Sequence, residues 1–215
     1  MKNKTLFSVL VCFFAVLLTF NPFVWADQNG KVLLIVNEEK SLDLELMLTE
    51  EVGVMRDMLS QAGFKVVVAT GSGQPMVAGA ATLNPDLKLS DVKIADYEGF
   101  IMPCMACEEG AKLLPDVAEI IKGAVVEEKP LAAQVGGVII LAKAGVLSGR
   151  KYAFQKEWVA DIPALKDAIY SGDGVVQDGK IITSGVCPYL AKERGLQDGT
   201  SKLTKTLIAE LTTKK

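Results

Sequence analysis

Two uninterrupted aliphatic runs, KVLLIVN at residues 31–37 and KVVVAT at residues 65–70, constrain this chain more than any other feature. A strand with one face in water alternates apolar and polar residues, whereas a strand covered on both faces reads as a continuous β-branched and aliphatic run. Between the two, Val52, Met55, Leu59 and Ala62 recur at helical spacing, and Gly63 stands where a helix C-terminal cap belongs. The segment is therefore a βαβ unit with two central parallel strands. Residues 99–103 (GFIMP) and 130–135 (PLAAQV) predict two further short buried strands, with a helix over residues 114–126 between them. The alternation predicts an α/β sandwich, a mainly parallel sheet with helices on both faces. Asp178-Gly179 between two apolar runs adds a β-hairpin. Residues 70–96, rich in Gly and Pro with little period, read as a long excursion between elements.

The chain has 215 residues, 50% hydrophobic and 23% charged. Residues 1–26 stand apart: Lys2 and Lys4 precede an apolar run ending at Phe20, and Val24-Trp25-Ala26 offers a cleavage site. This is the pattern of a secretory signal cleaved before Asp27, with residues 27–215 as one domain. The apolar run is shorter than the roughly 20 residues of a bilayer span, which weighs against an uncleaved anchor. The expected location is periplasmic or extracellular, with membrane contact only through the signal sequence during export. A formal charge of -3 gives no broad positive field for a phosphate backbone, so nucleic acid is not an expected partner. The chain has no histidine, which removes Ser-His-Asp and Cys-His catalysis and every imidazole metal ligand.

Four spaced motifs resemble the ThiJ/PfpI superfamily: Glu50-Glu51 followed by GFKVVV from residue 63, KPLAAQVGG at 129–137, LAKAGVLSGRK at 141–151 and DGKIITS at 178–184. The resemblance covers about residues 31–212. It implies the flavodoxin-like three-layer sandwich shared with class I glutamine amidotransferases, assembled as a homodimer or larger homo-oligomer. Active members carry a nucleophilic cysteine on a strand-to-helix elbow directly after the strand that begins Lys-Pro. Here that position is Val135, followed by Gly136 and Gly137. Valine has neither a nucleophilic atom nor a titratable proton, so hydrolase and glyoxalase chemistry at the elbow is not expected.

Glu51 matches the family glutamate that hydrogen-bonds the elbow thiol; the alternative is a solvated residue in a helix first turn. Gly136 and Gly137 either present backbone N–H groups to an anionic ligand or simply allow a tight turn. Where the family has Pro-Gly-Gly, this chain has Pro103-Cys104-Met105-Ala106-Cys107, a Cys-x-x-Cys beside the ancestral pocket. Cys187 follows the strand at 181–183 and turns toward the same edge. Cys104, Cys107 and Cys187 admit a disulfide with one free thiol, a soft-metal site for copper(I) or zinc, or plain buried thiols. Three functions follow: a small-molecule binding or sensing protein using Glu51, Val135, Gly136, Gly137 and Cys187; a thiol enzyme, redox or hydrolytic, with Cys104 or Cys107 reactive and Glu51 as proton acceptor; or a metal-handling protein. The missing elbow nucleophile favours the first.

Overall fold

The computed structural model describes residues 29–106 and 111–213. The proposed signal sequence and Cys107 lie outside the described residues. Strand β1 (Lys31–Ile35) is followed by a short helix α1 (Leu44–Leu46), whose first turn is closed by the Asp43 carboxylate accepting from the Leu46 N–H at 3.1 Å. The helix then widens into a π-helical stretch, Met47–Gly53, before resuming as α2 (Val54–Gln61). Val52, Met55 and Leu59 are buried, as their spacing predicts. Gly63, at φ +84°, reverses the chain in a conformation a side chain would strain, and β2 (Lys65–Thr70) begins two residues later.

The expected excursion at 70–96 contains more structure than its composition suggests. A small hairpin, β3 (Met76–Ala78) with β4 (Ala81–Leu83), is followed by β5 (Leu87–Lys88), which pairs parallel to the end of β2. Next come β6 (Gly99–Met102), α3 (Pro115–Val126) with proline in its first turn, β7 (Leu131–Gln134) and α4 (Gly136–Lys143). A two-residue parallel pair, β8 (Lys151–Tyr152) and β9 (Ile169–Tyr170), flanks 3₁₀ turns over Lys156–Asp161 and Pro163–Leu165. The hairpin β10 (Val175–Asp178) and β11 (Ile181–Ser184) has Gly179 and Lys180 as its loop, because Asp178 still pairs with Ile181. Helices α5 (Pro188–Arg194) and α6 (Thr200–Thr212) close the described chain.

The main sheet has the order β10-β11-β7-β6-β1-β2-β5, and its one antiparallel pair is the β10–β11 hairpin. From β1 the chain crosses one way to β2, whereas from β6 it crosses the other way to β7. Right-handed crossovers therefore put α2 and α3 on opposite faces. α6 packs against α2, β7 and β11, while α3 and α4 contact β7. The result is a flavodoxin-like α/β sandwich, with Leu33, Leu34, Phe100, Ile101, Leu131 and Ile182 buried between the layers. β1 is the point where strand order reverses, and the loops beyond the carboxyl ends of β1, β6, β7 and β11 converge there.

Candidate functional site

The turn after β7 is the elbow. Val135 has φ 37° and ψ −90°, a conformation that β-branched residues almost never adopt and that costs on the order of 1–3 kcal/mol. It is held from both sides: the Val135 N–H donates to the Ser184 carbonyl at 2.9 Å, and the Val135 carbonyl accepts from the N–H groups of Val138 at 2.9 Å and Ile139 at 3.2 Å. Behind the turn, buried Gln134 donates to the Val186 carbonyl and accepts from the Thr200 hydroxyl at 3.2 Å. The two glycines after Val135 are steric requirements. A Cβ on Gly136 would stand 2.4 Å from the Cys104 carbonyl oxygen, and one on Gly137 would stand 2.9 Å from that of Met102. Helix α4 thus starts directly against the end of β6, which only glycine allows.

Cys104 follows β6 in a turn where Met105 and Ala106 both have positive φ, 55° and 41°. Its sulfur accepts from the Ala106 N–H at 3.3 Å. Glu51, on the π-helical stretch, is completely buried and anchors this turn, accepting from the Cys104 N–H at 2.8 Å and the Met105 N–H at 3.2 Å. Of the two readings of Glu51, the buried one holds, with the turn's amides as partners. Burial pushes its carboxyl well above the ordinary carboxylate range, and the neighbouring Cys187 pushes the same way; the two amides oppose them.

Cys187 follows β11 and precedes Pro188 at the start of α5. The sheet edge brings Cys187 to the wall of the same cavity as Cys104, and the two thiols perturb each other's ionisation. Both are buried free thiols. The interaction between them splits their acidities: it lowers Cys187, aided by the N–H groups of Leu190 and Tyr189, and raises Cys104, where burial adds to it. Among the described residues no three Cys, Asp or Glu side chains gather as metal ligands. A three-thiol site for copper(I) or zinc therefore depends on Cys107, outside those residues.

Val135, Gly136, Cys104 and Cys187 border a cavity of about 500 Å³. Its remaining wall is largely apolar and includes a feature with no motif in the sequence: Phe154, Trp158 and Tyr189. Phe154 and Trp158 meet edge to face at 6.3 Å, and the Arg194 guanidinium caps the Trp158 ring at 4.4 Å. Trp158 lies on a 3₁₀ turn, where helical or strand period gives no signal. Gly137 packs behind the elbow and is absent from the cavity lining.

The model of the DJ-1/PfpI family matches residues 31–192. The chain belongs to that family. An uncharacterised protein of Archaeoglobus fulgidus is 31% identical over 167 residues, covering 75% of this chain and 94% of the relative. A Pyrococcus abyssi protein named a deglycase is 26% identical over 155 residues, 71% of this chain and 85% of that one. Among solved structures, a ThiJ/PfpI domain protein from Brachyspira murdochii aligns with a TM-score of 0.65 at 15% identity over 87% of this chain and 98% of its own. DJ-1beta of Drosophila melanogaster aligns with a TM-score of 0.60 at 24% identity, covering 86% and 97% of the two chains. These likenesses establish the sandwich for a DJ-1/PfpI chain whose elbow carries valine.

Proposed function

We propose that this protein binds a small, largely apolar molecule in the cavity above the elbow and carries out no elbow-cysteine chemistry. The observation that carries this reading is Val135: it occupies the strained elbow conformation and faces the cavity with an inert side chain. The Cys104 and Met105 amides support it, because both donate to Glu51 and present no free N–H to a developing oxyanion. The activity named for the Pyrococcus relative would need a different attacking atom here. A pocket of this size, apolar with aromatic walls, suits a compact hydrophobic ligand.

The test is fluorescence titration with Prodan, an uncharged naphthalene dye, against the protein and its Ile139→Trp variant. Ile139 lines the cavity from α4, so the larger ring fills ligand space. Saturable binding at one dye per chain is expected, weakened at least tenfold in the variant at unchanged far-ultraviolet circular dichroism; that corresponds to about 1.4 kcal/mol. Absence of saturable binding, or equal affinity in both proteins, contradicts the reading.

A further inference from the structure

The cavity wall is graded from floor to rim. Cys104, Val135, Phe154 and Cys187 line it and are buried, whereas Leu42 and Asp161 line it while exposed to solvent and so mark its rim. Asp161 is the one charged residue among the described residues of the lining, and among those described its carboxylate makes no hydrogen bond or ion pair. We propose that the cavity takes an arylalkylamine as its ammonium ion, with the hydrocarbon end at the floor and the ammonium at the Asp161 rim. This deepens the apolar-ligand reading and rests on it, adding a charge to one end of the ligand.

Three observations carry the charge and its placement. First, the described lining holds a carboxylate and neither lysine nor arginine, so its Coulomb field attracts a cation and repels an anion. Second, the half-buried rings of Trp158 and Tyr189 belong to the same wall, and the face of such a ring attracts an ammonium group. Arg194, which caps the Trp158 ring, is itself absent from the lining, and its charge is met by the Glu157 carboxylate and by the Gln155 carbonyl oxygen at 3.3 Å. Third, the floor favours the opposite end of the ligand. Helix α4 begins there at Gly136 with the positive end of its dipole, and the buried side chains around it favour hydrocarbon. An ammonium at the exposed rim keeps part of its hydration, which avoids the desolvation cost of a buried charge.

The experiment is calorimetric titration of the full-length chain at neutral pH with 2-phenylethylamine, 2-phenylethanol and 3-phenylpropionate, which share a phenylethyl body and carry a cationic, neutral or anionic end. One amine should bind per chain, about fivefold more tightly than the alcohol, with the acid weakest. Asp161→Asn should bring the amine and the alcohol to within about twofold of each other, because it removes the charge that distinguishes them. Asp161 is exposed, so this substitution leaves the fold in place. Asp167→Asn, at an exposed acid outside the lining, should keep the full preference for the amine. The proposal is overturned if the amine does not bind, if the alcohol or the acid binds as tightly as the amine, if the preference survives in Asp161→Asn, or if Asp167→Asn abolishes it equally. Saturable Prodan binding beside any of these results leaves the apolar-ligand reading standing, whereas its absence removes both.

Discussion

Glu51 and Val135 hold the two costliest conditions in the site. Glu51 is a fully buried acid whose carboxyl is raised by burial, so its ionisation opposes folding. The stability this group supplies is complete below its ordinary value of 4.5 and is lost as pH rises through the raised value in the folded state. Glu51→Gln cannot ionise, but its side chain has one acceptor where the Cys104 and Met105 amides need two; leaving one amide unpaired costs about 1–3 kcal/mol. We expect the variant to be less stable near pH 4.5 and the gap to narrow as pH rises, measured by urea denaturation of both proteins across the range. A gap that stays constant or widens with pH contradicts this assignment. The identity of residue 135 was legible in the motif around it, but its backbone strain and the burial of Glu51 were not. Both depend on contacts from distant parts of the chain, Ser184 in one case and Cys104 in the other.

Elements show a similar division. β1 and β2 were readable because both faces are covered, which leaves a continuous apolar signal. β5 was hidden because two residues carry no period. The π-helical stretch was hidden because it uses residues that also suit an α-helix, yet it is the element that carries Glu51 to the turn after β6. Helix α6 could have been read from Leu203, Leu207 and Leu211, all buried at a spacing of four. The hairpin turn fell one residue later than Asp178-Gly179 suggested, because Asp178 still belongs to the ladder. The junction between β6 and α4 makes its own prediction: Gly136→Ala drives a Cβ into the Cys104 carbonyl, a backbone atom with little room to yield. A loss of about 1–3 kcal/mol is expected in urea denaturation, the usual cost of overpacking. A change within about 0.5 kcal/mol, the range of an ordinary surface substitution, would mean that the elbow can move away from β6.

At the scale of the molecule, the sheet order explains why separate stretches of sequence share one site. The reversal at β1 opens a crevice, and the turns after β6, β7 and β11 supply Cys104, Val135 and Cys187 to it, while Glu51, on the π-helical stretch, is buried behind the Cys104 turn and does not line the cavity. That convergence was legible once the strands were assigned, since it follows from parallel strands ending on one edge. The aromatic wall was not, because Phe154, Trp158 and Tyr189 come from a loop, a 3₁₀ turn and the first turn of α5, which share no period or motif. The architecture keeps a strained elbow beside a cavity of about 500 Å³, and in the proposed reading the valine there leaves that elbow without an attacking atom. The most direct test of that claim is the consumption of methylglyoxal, an α-oxoaldehyde, by the purified protein and by Val135→Ala. The account predicts no turnover above the protein-free rate for either one; robust turnover by the wild-type protein that Val135→Ala abolishes would contradict it.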